Sequence, residues 1–98
     1  MPTSSHKRTI QEMIQGNVTR GESIFIRYLQ SPCQLSASDF AAQHSQDEWE
    51  AIVQAGEFQA EVIKICPAIK GKYQSIWSPD LYEFAYTYAN DTGNLPVS

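Results

Sequence analysis

No apolar run in this sequence approaches the roughly 20 residues needed to span a bilayer, so no membrane insertion is expected. Positive charge is also scarce: seven Lys and Arg stand against eleven Asp and Glu, a formal net charge of -4. A weakly acidic surface gives no electrostatic footprint for nucleic acid or anionic lipid. Cysteine is limited to Cys33 and Cys66, and no Cys-x-x-Cys dithiol is present. Methionine ends at Met13, and only His6 and His44 carry imidazole, too far apart for metal-ligand spacing. No stretch alternates cleanly enough for a strand beyond the ambiguous Ile24-Phe25-Ile26, and there is no repeat, low-complexity tract or linker.

What is there fits one folded domain of 98 residues, 42% hydrophobic and 18% charged. Residues 9–15 place Ile10, Met13 and Ile14 at helical spacing, with Gly16 and Asn17 as a stop. Thr19 and Glu22 read as a capping box opening a helix to about Gln30, with an apolar stripe of Ile24, Phe25, Tyr28 and Leu29. Gly21, costly inside a helix, would serve close approach of another backbone. Pro32 should break the pattern and leave residues 33–37 as loop. Ser36 or Ser38 would cap a short helix over 39–44 with Phe40 inward. Ser45 and Glu48 form a second capping box, and Asp47 and Glu48 suit its helix dipole.

Trp49, Ile52 and Val53 are the expected buried face of that helix, which Gly56 ends. Residues 57–66 restart a helix with Phe58, Val62, Ile65 and Cys66 on one face. A loop over 67–77 should fold Ile69, Tyr73, Ile76 and Trp77 back onto the core. Ser78-Pro79-Asp80 then signals a helix start, followed by Leu81, Phe84, Ala85 and Tyr88 at helical spacing. The fold class expected is all-α, five or six short helices: an N-terminal extension with a short helix at 1–17, a helical domain at 18–95 and a loose tail at 96–98.

The Gly-x-x-x-Phe helix (Gly21 to Phe25), the cysteine loop and the closing Leu-Tyr-x-x-Ala-x-x-Tyr-Ala helix (Leu81 to Ala89) resemble a small class I cytochrome c. More narrowly, Phe40 to Glu50, Ile65-Cys66-Pro67, Leu81 to Ala85 and Asn90 to Asn94 resemble a haem-less cytochrome-c-like family of sulfur-associated and epsilon-type bacteria. The resemblance spans about residues 18–95 and implies a cytochrome-c-like bundle without a cofactor. Covalent haem requires Cys-x-x-Cys-His. Here the loop reads Cys33-Gln34-Leu35-Ser36-Ala37, with serine at the second thiol, alanine at the ligand and no distal methionine.

Three sets of residues could carry chemistry. Cys33 and Cys66 as a disulfide would close a loop of about 34 residues, worth roughly 4 kcal/mol in the chain-entropy model, and would staple the domain in place of a haem. Alternatively they are two separate buried thiols, or a redox dithiol. His44 could ligate a metal or a non-covalent haem, or bond the next capping turn. With Cys33 and an acid it could mimic a triad, but no tight turn brackets a nucleophile. Trp77, Tyr82 and Tyr86 are candidate ligand or partner contacts, or else fill volume left by a missing cofactor. The acids Asp47, Glu48, Glu50, Glu57 and Glu61 read as a solvated face.

The functional expectation is a monomeric, non-enzymatic binding or accessory module near electron-transfer or sulfur-oxidation machinery, with a protein partner. No catalytic residue, metal or cofactor is assigned. The resemblance points to the periplasm; an N-terminus lacking the apolar centre of a signal peptide, taken as native, points to the cytoplasm. The rival readings are a thiol-disulfide redox protein using Cys33 and Cys66, and a haem binder through His44.

Overall fold

A computed structural model describes residues 16–96; the expected helix over 9–15 and the last two residues of the tail lie outside them. Among the described residues there is no strand, and the all-α expectation holds. The order is α1 (Val18–Ile24), a π turn (Phe25–Leu29), α2 (Gln30–Cys33), α3 (Ala37–Ala41), α4 (Gln46–Gln54), α5 (Phe58–Ile65), 3-10 turns at Pro67–Ile69 and Ser75–Trp77, and α6 (Ser78–Thr87). No described helix is long and apolar enough to cross a membrane.

The α1–α6 crossing organises the rest, and it forms the broadest contact in the domain. A side chain at Gly21 would collide with the Asp80 carbonyl and approach Phe84 Cβ to 2.8 Å; one at Gly16 would meet the Pro79 carbonyl. Two glycines thus let the backbones touch, as expected for Gly21. The helix begins earlier than the Thr19–Glu22 pattern predicts. Asn17, read as a stop, is the N-cap: its Oδ1 accepts from the Arg20 N–H at 2.7 Å. Its own N–H donates to Asp80 Oδ1 at 2.8 Å, which ties this cap to α6. A cap with a tertiary partner wins over a purely local box.

Pro32 does not end the helix where expected. The Gln30 N–H bonds the Phe25 carbonyl, five residues back, so the helix widens before the proline. In a regular helix the Pro32 ring would press on the Tyr28 carbonyl, and Tyr28 lies inside the wide turn. The chain therefore stays helical to Cys33 and leaves through Gln34 at φ 55°. The wide turn also revises the apolar stripe. It advances less angle per residue, so Gly21, Phe25 and Leu29 line the buried side while Tyr28 turns outward.

Ser36 caps α3 by accepting from the Asp39 N–H at 3.0 Å. That helix ends at Ala41 rather than at His44, because the chain turns at Ala42 (ψ 0°). Ser45 and Glu48 form the expected capping box on α4, and Gly56 leaves it at φ 74°. Ser78 is not a cap. The Ser75–Trp77 turn leads straight into α6, the Ser78 N–H bonds the Ser75 carbonyl, and the Ser78 hydroxyl instead meets the Tyr73 hydroxyl at 2.7 Å.

Inside, Phe25, Phe40, Trp49 and Phe84 form one aromatic stack, with Phe25–Phe40 centroids at 5.1 Å and Phe40–Trp49 at 5.6 Å. The buried Trp49 indole N–H donates to the Ala41 carbonyl at 3.0 Å. Leu29, Val62, Ile69, Leu81 and Ala85 complete the core. Each fully buried aliphatic or aromatic side chain contributes about 1.5–3 kcal/mol. Of the loop residues expected to fold inward, Ile69 and Trp77 are buried and Tyr73 is half-buried. Ile76 is not: it stands 74% exposed, since a 3-10 turn cannot point Ser75, Ile76 and Trp77 the same way.

Candidate functional site

Cys33 and Cys66 are bonded, with Cα atoms 5.3 Å apart, so two separate thiols are not what this fold holds. The bridge joins the end of α2 to the end of α5. It lies one residue after Pro32, which the helix accommodates, and one residue before Pro67, where the chain leaves α5. The cysteine loop cannot take a covalent haem on its own residues. The Cys33 sulfur is in the disulfide, and Ala37, at the ligand position of the motif, is fully buried against the core. In the core Phe25 and Phe40 each pack against Phe84, with Phe25–Phe84 centroids at 6.2 Å and Phe40–Phe84 at 6.4 Å.

His44 sits between two carboxylates. Nδ1 is 3.2 Å from Glu48 Oε1, Nε2 is 2.8 Å from Glu61 Oε2, and the ring stands edge-on to Trp49 at 4.8 Å. Both ring nitrogens thus face carboxylate oxygens of the chain itself. The Ser45 backbone N–H, and after it the His44 ring, hold the Glu48 carboxyl below the ordinary glutamate range. The same corner is tied to the end of α6. The Asn90 N–H donates to the His44 carbonyl at 3.1 Å, the Gln46 N–H to Asp91 Oδ1 at 3.1 Å, and Gln46 Nε2 to the Tyr86 carbonyl at 3.0 Å. His44 is therefore a clamp joining α4 to α5, and its neighbours join α4 to α6.

The aromatic candidates separate in space. Tyr82 is 1% and Trp77 6% exposed; both belong to the interior and offer a partner little area. Tyr86 is half-buried, with its ring 5.7 Å from that of Tyr82. The structure does not bring these three together with His44 as one site.

A different group does converge. Between the outer face of α1 with its π turn and the Ser75–Trp77 turn lies a cleft of about 430 Å³, lined by Arg20, Ser23, Ile24, Arg27, Tyr28, Ile76, Trp77 and Asp80. Tyr28, 45% exposed, stacks on Trp77 with centroids 5.0 Å apart and planes 18° from parallel. Ile76 lines the same cleft. Arg20 Nε contacts Asp80 Oδ2 at 3.3 Å, and no described carboxylate pairs with Arg27. π turns recur at functional positions, and this one carries Arg27 and Tyr28 to the surface.

Of the cleft residues, only Trp77 is a candidate contact in the sequence; the sequence pattern expects Tyr28 and Ile76 inward, and no motif marks Arg20 or Arg27 as a contact. The one signal was the spacing of Arg20, Ser23, Ile24 and Arg27, which marks a single helix face. Compared with protein-family models, with curated proteins and with solved structures, the chain matches none.

Proposed function

We propose that this protein is a non-enzymatic, haem-free binding module of cytochrome-c-like architecture, and that its protein partner docks at the Arg27–Tyr28–Ile76 cleft. The architecture is supported by the glycine-mediated crossing of α1 on the closing helix α6 and by a core of stacked rings in place of a cofactor. The observation that carries the function is Ile76, 74% exposed in one cleft with the Tyr28–Trp77 stack and with Arg27, which pairs with no acid among the described residues. Arginine and large aromatic side chains on an open surface are the composition of interface hot spots. A periplasmic setting near electron-transfer or sulfur-oxidation machinery belongs to the same proposal and agrees with a stapling disulfide.

The test places a benzophenone side chain at position 76 or, as a control on another exposed surface, at position 43, in the native host. A discrete photo-adduct from 76 and none from 43 is the expected result. No adduct at 76, or the same adducts from both positions, overturns the binding reading. The rival readings are checked on the same material by intact mass after alkylation without reduction. An oxidised chain without haem or alkyl groups is expected; two alkyl groups would favour the thiol redox protein, and a haem adduct the haem binder.

A further inference from the structure

The chemistry of the partner can be read from the cleft, granted that the cleft is the docking surface. We infer that the occupant is an amphipathic helix of a partner protein carrying two carboxylates two turns apart on either side of an aliphatic centre. Arg20 and Arg27 are seven residues apart on the helical wall of the cleft, about 10 Å along the axis at 1.5 Å per residue. Ser23 and Ile24 lie between them, at the third and fourth positions. A second helix laid along this wall repeats the same rise. Its acids at i and i+7 then meet the two guanidinium groups, and its apolar residues at i+3 and i+4 enter between Ile24, Tyr28 and Ile76.

Charge sets the sign of the partner. The cleft holds two arginines and one acid, Asp80, a local surplus of one positive charge on a chain of net charge -4. Asp80 is already engaged on both oxygens, by the Asn17 N–H at 2.8 Å and by Arg20 Nε at 3.3 Å. The Arg20 contact runs through Nε and leaves the terminal nitrogens of that fork for a further carboxylate. Arg27 has no acid among the described residues and supplies the stronger half of the recognition. The occupant is not a second copy of this chain, since no described helix carries two acids seven apart. The volume, about 430 Å³, lies at the small end of ligand cavities (about 300–1,000 Å³), and it takes side chains with the partner backbone outside.

The probe is a synthetic alanine-based helical peptide with glutamates seven apart and leucines at the third and fourth positions between them. It is titrated into the full-length, nitrogen-15-labelled protein in its disulfide-bonded form. Amide shifts confined to residues 20–28 and 76–80 are expected, weakening with salt. Arg27→Glu should raise the dissociation constant about tenfold, the scale of one close interfacial charge pair, and a peptide with lysine for glutamate should recover the loss on that variant. An unchanged spectrum away from the cleft shows that the variant is folded. Arg20 is not the variant of choice, because its pair with Asp80 also holds α1 to α6. Absence of cleft shifts, binding indifferent to Arg27→Glu, or equal binding of a proline-interrupted peptide of the same composition overturns the inference. If the photo-adduct at position 76 persists while this peptide fails, the cleft is a docking surface and only the partner chemistry assigned here is wrong.

Discussion

The His44 corner sets an imidazole against Trp49 and the Arg27 cleft gathers an arginine with Tyr28 and Trp77, yet the two are finished differently. At the corner, His44 is 25% exposed, each ring nitrogen has a carboxylate, and the neighbouring backbone is tied to the end of α6. At the cleft, Tyr28 stacks on Trp77, but Arg27 has no described acid and Ile76 stands in solvent. The corner completes itself within the chain and is explained by stability. The cleft adds apolar exposure and a cation without an acid among the described residues. That contrast is what the proposed docking at the cleft rests on.

The comparison can be broken first at its foundations. Reducing Cys33–Cys66 reopens the unfolded chain between residues 33 apart, and should cost about 4 kcal/mol in the chain-entropy model. Denaturant unfolding with and without reductant checks this, and both the corner and the cleft should lose protection against hydrogen exchange together. Gly21→Ala comes next. Its Cβ would meet the Asp80 carbonyl, and the overpacking should cost about 1–3 kcal/mol, seen as a lower midpoint in the same titration.

His44→Ala sharpens the comparison from the corner. Loss of the half-buried bond to Glu61 should cost about 1–2 kcal/mol, again by denaturant unfolding. The pH dependence gives the sign independently. The Glu48 carboxyl is held below its ordinary value in the folded state. Its contribution is therefore present above that ordinary value, near 4.5, and is lost as pH falls through the lower folded one. Because the Ser45 N–H is the larger cause and the His44 ring the smaller, His44→Ala should shrink this acid loss only in part. At the alkaline end, burial pushes the Tyr73 hydroxyl up to about 12, against the opposing bond to Ser78. Stability should hold below the ordinary tyrosine value near 10 and fall as pH rises from there toward the folded one. The smallest effect belongs to the cleft: Ile76→Ser and Arg27→Glu should each lie within about 0.5 kcal/mol of the parent, as surface substitutions do.

Much of the frame was legible in the sequence because it is local. The Ser45–Glu48 box, the Gly56 stop, the Leu81-to-Ala85 face and the reason for Gly21 all follow from spacing within a few residues. The pairing of Cys33 with Cys66 was one of three open alternatives, and it took three dimensions to choose it. What sequence reasoning missed was non-local or depended on one irregular turn. Asn17 became a cap because Asp80, 63 positions away, holds its N–H. Asn90 and Asp91 look like turn residues, and only the fold shows that they tie the His44 corner. Tyr28 belonged to the apolar stripe under a regular 3.6-residue period; the π turn moved it outward, and the cleft with it. The site was hidden for that reason: its position rests on a departure from the period used to read the helix.

Thermal unfolding of the Arg27→Glu/Ile76→Ser double variant beside His44→Ala, under identical conditions, tests most directly whether fold and docking surface are separate. At about 4–8 °C per kcal/mol for a domain of this size, the cleft variant should melt close to the parent and His44→Ala clearly below it. A cleft variant that melts as low as His44→Ala would mean that those side chains serve the fold, and the account of the cleft as a docking surface would be wrong.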